Sequence, residues 1–190
     1  MLAYLFWHEP AAGVAAAAYE ESLRAFHRAL SEHKPDGYLG SASFGFQGTP
    51  WFPAQPGYLD WYTVADFTSL GLLNEAAVAG ARKAPHDDAA RMAGAGVGGL
   101  SKLVAGSARL EQTNFATWLA KPNGWGYDAF LAQARDLIDP VNMGLWQRQM
   151  TLGPGLEFCI TSPGPVAAPE IFDTVVVILQ AIWRSAGPDK

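Results

Sequence analysis

At 190 residues, with a net charge of -5 and only 16% charged side chains against 49% hydrophobic ones, the chain is long enough for one compact unit with large buried faces. The acidic balance and the 13 scattered Lys and Arg leave no footprint for nucleic acid or anionic lipid, and a single cysteine excludes an internal disulfide. The opening MLAYLFWHEP lacks the basic start of a signal peptide, and the late run VVVILQAIW falls far short of the ~20 residues of a spanning helix, so a cytoplasmic protein is expected.

Residues 2 to 8 read as a strand ended by Pro10. An amphipathic helix follows, with Tyr19, Leu23, Phe26 and Leu30 at three- and four-residue spacing. PDG turns the chain into the strand YLGSASFGFQ, and the Pro- and Gly-rich loop 48 to 57 leads into a further strand, YLDWYTVA. Asp66 is placed to cap a helix that turns Phe67, Leu70, Leu73, Ala77 and Val78 inward. Residues 81 to 106 keep a helical period through Ala89, Met92, Ala93, Val97, Leu100, Leu103 and Val104, with Asp87 as a possible cap and a bend at Gly94 to Gly99; this is the expected helical connector.

The second half repeats the grammar: a strand in LEQTNFATWLAKP, a helix in YDAFLAQARDLI, strands in MGLWQRQMTL and LEFCITS, and a closing helix in IFDTVVVILQAIW. Pro10 matches Pro122 in kind, Tyr19 matches Tyr127, Leu23 matches Leu131, and Leu59-Asp60-Trp61 matches Leu156-Glu157-Phe158. Such matches describe an internal duplication with halves at 1–80 and 107–190 around the connector 81–106, folded as one compact unit.

With LAKPNGWGYDAFLAQARDL as the entry to a short helix, the strand, helix, strand, strand, helix order resembles the dimeric α+β barrel superfamily in a duplicated, single-chain form. The resemblance implies an α+β fold of two ferredoxin-like halves, each an antiparallel sheet with helices on one face. It also implies a fourth strand ending each unit; none follows Trp183, so the segment from Ser107 to Leu119 would have to serve both halves. Members include cofactor-free monooxygenases, haem enzymes, aldoxime dehydratases and muconolactone isomerases, so the fold alone does not select a reaction.

Gly94, Gly96 and Gly99 spell G-x-G-x-x-G, but a helical segment rather than a strand precedes them, which is the wrong context for a dinucleotide. His27 and His33 point apart on a helix and there is no cysteine pair, so no metal site is expected; His27, His33 and His86 read as solvated. No G-x-S-x-G elbow is present. Cys159 has no basic neighbour to activate it and reads as a buried thiol.

Alternation sets Glu157, Cys159 and Thr161 on the strand face opposite the helices, and the repeat gives Asp60, Tyr62 and Val64 the same place. That face is a barrel interior, where a partly dry carboxylate would have a raised pKa suited to proton transfer. The alternative is that both acids lie at a wet rim and pair with Arg148 or a backbone amide. His8, at the end of a strand among Tyr4, Phe6 and Trp7, is the other titratable candidate. The expected catalytic residues are therefore His8 and Glu157, with Asp60, Tyr62, Trp118, Trp146 and Arg148 binding the ligand. Two functional classes follow: a small-molecule protein with an apolar barrel cavity, binding only or catalysing cofactor-independent proton transfer or monooxygenation, and a non-catalytic interaction protein with a filled barrel. The expected partner is a small apolar molecule, with no cofactor and with a homo-oligomer possible.

Overall fold

The computed structural model describes residues 1–185. Its elements run β1 (Leu2–Pro10), α1 (Ala16–Glu32), β2 (Tyr38–Phe46), β3 (Gly57–Val64), α2 (Phe67–Ala77), α3 (Lys83–Met92) and β4 (Ala93–Gly106), then β5 (Phe115–Leu119), α4 (Tyr127–Asp136), β6 (Gly144–Arg148), β7 (Phe158–Ser162), β8 (Thr174–Ile178) and β9 (Gln180–Arg184). All paired strands are antiparallel and form one nine-stranded sheet in the order β8-β5-β7-β6-β4-β1-β3-β2-β9. This is the expected α+β architecture. Among the described residues no helix is long and apolar enough to cross a membrane.

Each half has the same strand order, fourth-first-third-second: β4-β1-β3-β2 in the first, β8-β5-β7-β6 in the second. The fourth strands also join the halves. β4 pairs with β1 through Ala93–Lys102 and with β6 through Ser101–Gly106. Only Leu179 separates β8 from β9, although the two lie at opposite ends of the sheet order, so 174–184 is one extended run that pairs first with β5 and then with β2. That run closes the sheet into a barrel and leaves few unpaired edge groups. Arg184 fastens the closure by donating to the carbonyls of Glu111 (2.9 Å) and Thr113 (2.7 Å).

Two expected helices are corrected here. The connector is helical only to Met92 and continues as β4, and the terminal segment expected as a helix is β8 and β9. The Val175-Val176-Val177-Ile178 run of β8 is β-branched throughout, which favours a strand over the apolar helix suggested by its length. In β4 the glycines make room for the aromatic rings of β1. A Cβ on Gly96 would lie 2.5 Å from the Phe6 ring, and one on Gly98 would lie 2.8 Å from the Tyr4 hydroxyl. Asp87 accordingly lies inside α3, paired with Lys83 at 2.6 Å, and not at a helix start. The Asp66 cap is found as expected, accepting from the Ser69 amide at 2.8 Å.

Side chains of β1 to β3 are buried on both faces, because one face meets the barrel interior and the other meets helices. The interior is packed by the largest apolar cluster, which includes Leu5, Trp7, Phe44, Leu59, Trp61, Trp118, Trp146 and Cys159. Outside it, α1, α2 and α3 cover the first half of the sheet and α4 covers the second.

Candidate functional site

The helix-facing row of the first half differs sharply in chemistry from the barrel interior. β1 contributes Tyr4, Phe6 and His8 to it, and β3 contributes Asp60 and Tyr62. Together with α1, α2 and α3 these residues enclose a cavity of about 810 Å³. Its walls include Leu23, Phe26, Leu30, Leu70 and Leu73, and among the described residues no lysine or arginine lines it. The room exists partly because Gly96 and Gly98 let the Phe6 and Tyr4 rings lie down across β4.

At the floor sits Asp60, 3% exposed, with an imidazole on either side. Its Oδ1 is 3.4 Å from His8 Nε2 and 3.2 Å from His27 Nε2, and both histidines are completely buried. Its Oδ2 accepts from the Tyr62 hydroxyl at 2.7 Å. Beyond the imidazoles, His8 Nδ1 is 2.6 Å from the Tyr19 hydroxyl, and His27 Nδ1 is 2.7 Å from the Ser41 hydroxyl, which in turn accepts from Tyr38 at 2.6 Å. The contacts fit an arrangement in which each imidazole carries a proton on Nε2, towards Asp60, and Tyr19 and Ser41 donate to the Nδ1 atoms. The two Nε2 contacts to Oδ1 are ion-pair distances rather than well-aligned hydrogen bonds, so these three atoms lack a full hydrogen-bond partner.

The electrostatics follow from the burial. Desolvation alone would raise the Asp60 pKa, but the flanking His27 and His8 outweigh it and hold the carboxyl well below its ordinary range. Burial, then the Asp60 charge, pushes Tyr62 well up, and the same two causes raise Tyr19 and Tyr4. Tyr58, beside this row, is pushed up to about 12 by burial and by Glu20. Asp60 is therefore held ionised, ringed by hydroxyls that stay protonated.

His8, Asp60 and Tyr62 are thus brought together, though not on the face that alternation and the proposed repeat assigned to them. Leu59 and Trp61 face the barrel interior, whereas Asp60 and Tyr62 face the helices. In the second half Cys159 faces the interior as expected, and Phe158 packs under α4. Asp60 therefore does not take the face that pairing it with Glu157 predicts. Glu157 lies outside the cavity, half-buried, and accepts from Gln147 (3.0 Å) and Tyr127 (3.3 Å). Trp118 and Trp146 are core side chains of the barrel, and Arg148 holds the β6–β7 loop through the carbonyls of Gly153 (3.2 Å) and Gly155 (2.8 Å). Cys159 is fully buried, and burial pushes its thiol pKa well up, as befits an inert side chain.

His27, expected to be solvated, is instead completely buried beside Asp60. The signal was present: His27 lies four residues after Leu23 and three before Leu30, on the buried stripe of α1. Although His8, His27 and Asp60 converge, no group of three His, Cys, Asp or Glu side chains among the described residues is set to hold a metal ion.

No family model matches the chain, and no curated protein matches it. Solved structures do. A candidate monooxygenase of Fusobacterium nucleatum superposes with a TM-score of 0.64 at 9% identity, over 100% of this chain and 96% of that one. An anthrone oxidase-like protein superposes at 0.52 with 8% identity, again over 100% and 96%. These are proteins of the dimeric α+β barrel superfamily, and at such identities the likeness establishes the fold.

Proposed function

We propose that the chain is a small-molecule-binding protein that carries out proton transfer on a neutral, mostly apolar ligand held between the sheet and helices of its first half. The observation that carries this reading is the buried carboxylate with two imidazoles at the floor of a cavity of about 810 Å³. An imidazole paired to a carboxylate is a competent proton acceptor, and His8 and Asp60 lie buried at the floor, away from bulk water. His8 is the base in this proposal, because it lines the cavity and His27 does not. A ligand that arrives as an anion would meet the Asp60 charge with no lysine or arginine among the described lining residues to offset it. Proton abstraction of this kind opens both isomerisation and oxygenation without an organic cofactor. Structural similarity to proteins described as a monooxygenase and as anthrone oxidase-like agrees with that range.

The identical strand orders and the reciprocal crossing of β4 and 174–184 support a duplicated origin for the two halves, which we infer as part of the same reading.

Naphthalene derivatives of one size and different charge test the binding site. Titration by intrinsic fluorescence should show saturable binding of 1-naphthol and little of 1-naphthoate, and Ala90→Trp, at an exposed position on the cavity wall, should weaken the naphthol complex. Equal binding of both compounds, or indifference to Ala90→Trp, would place the ligand elsewhere.

A further inference from the structure

We propose that Tyr19 is the group that meets the labile proton of the ligand, and that His27 is a positioning residue that holds His8, through the shared Asp60 carboxylate, in the tautomer that accepts from Tyr19. The proposal rests on the functional reading above, which names His8 as the base.

His8 cannot receive a ligand proton directly, because Nε2 faces Asp60 at 3.4 Å and Nδ1 is occupied by the Tyr19 hydroxyl at 2.6 Å. Of the cavity tyrosines, Tyr62 donates to Asp60, so its proton leads to the carboxylate and not to a base. Tyr19 lines the cavity and donates to His8, and its hydroxyl oxygen keeps lone pairs for a donor on the ligand. The transfer balances without any co-reactant. A ligand O–H or acidic C–H bond breaks and its proton goes to the Tyr19 oxygen, while the Tyr19 proton passes to His8 Nδ1. The ligand leaves as an anion and His8 becomes an imidazolium beside ionised Asp60. Burial and Asp60 raise the Tyr19 pKa, so it relays the proton and does not store the charge.

The His27 arm fixes the direction of this relay. Tyr38 donates to Ser41, Ser41 is placed to donate to His27 Nδ1, and His27 Nε2 then faces the same Oδ1 that His8 uses. None of Ser41, His27 and Tyr38 lines the cavity, so the arm acts only through Asp60. With His27 in place, Asp60 is a fixed acceptor and His8 must present its proton to it, which leaves Nδ1 bare for Tyr19. Without His27 the carboxylate loses one of its donors and is free to turn, and His8 can exchange tautomers.

Long-range proton–nitrogen NMR on the ligand-free protein reads the His8 tautomer independently of any reaction. The expected result is Nδ1 unprotonated in the wild type and in His27→Gln, which keeps a donor, with a mixed or inverted tautomer in His27→Leu. Ser41→Ala, a smaller change that removes the donor to His27, should shift the population in the same direction and serves if His27→Leu does not fold. A wild-type His8 protonated on Nδ1, or a tautomer indifferent to both variants, overturns the positioning role. For Tyr19, 4-nitrophenol is the probe, because its anion absorbs visibly. Its apparent pKa on the wild-type protein should fall by at least about one unit, tenfold in the ionised fraction, relative to the Tyr19→Phe complex. Equal pKa values in the two complexes overturn the relay. Failure of nitrophenol to bind at all would count against the functional reading, while the tautomer measurement would still decide the His27 proposal.

Discussion

The two halves have the same strand order but fill the space under their helices in opposite ways. Beneath α4 the second half packs Leu119, Phe130, Ala134, Leu145, Phe158, Ile160 and Phe172 into a continuous apolar layer. In the equivalent space the first half has Tyr19, His27, Asp60 and Tyr62 joined by polar contacts, and a cavity above them. Five of the six tyrosines lie in the first half, at 4, 19, 38, 58 and 62, and Tyr127 is exposed. One scaffold thus supports a packed apolar layer in one half and a polar layer with a cavity in the other. The polar layer is the costlier one to bury, because His8 Nε2, His27 Nε2 and Asp60 Oδ1 meet one another only at 3.2–3.4 Å, without a full hydrogen bond.

The comparison is most easily broken in the packed half. Phe130 is completely buried against Phe158 and Phe172, with ring centroids 4.5 and 5.0 Å away. Phe130→Ala should lose about 3–5 kcal/mol of stability through the cavity it opens, measured by chemical denaturation. Ligand binding in the other half should persist where the variant is folded.

Asp60→Asn tests the polar half. The amide would leave two buried imidazoles facing a group that cannot carry their shared charge contact, and a loss of about 2–3 kcal/mol is expected, with a Tm fall of roughly 5–10 °C. Because the folded pKa of Asp60 lies well below the ordinary 3.8, its contribution is complete above that value and fades as pH falls towards the lower, folded one. The acid limb of the stability curve should therefore be shallower in Asp60→Asn than in the wild type. Parallel acid limbs would show that the carboxylate is not held by its histidines.

Gly96→Ala sharpens the link between sheet and cavity. The added methyl would drive the Phe6 ring off the floor, at an expected cost of about 1–3 kcal/mol from overpacking, together with weaker naphthol binding. Stability lost without any change in binding would detach the β4 glycines from the site. The smallest effect is expected for Glu157→Gln. Half-buried in the second half, with Gln147 and Tyr127 as its partners, Glu157 should tolerate the change to within about 0.5 kcal/mol, and binding should not move.

Much of the architecture was legible in the chain itself. Tyr19, Leu23, Phe26 and Leu30 mark α1 by their spacing, Asp66 marks the start of α2, and the strand, helix, strand, strand order was enough to reach the α+β barrel. The fourth strands were not legible, because apolar residues in β4 and in 174–184 also fit a helical period, and only the neighbouring strands supply the pairing that makes them extended. His8, Asp60 and Tyr62 could be suspected from local pattern, but not their common face. Side chains alternate along a strand, so a shift of one position reverses the face, and pairing Asp60 with Glu157 predicts the barrel interior where the structure has the helix side. The shared carboxylate was beyond the sequence altogether: His8, His27 and Asp60 come from three separate elements, and no local rule carries the distance between them. Tertiary packing decided that contact, because stacking α1 on β1 and β3 is what brings two imidazoles to one buried oxygen.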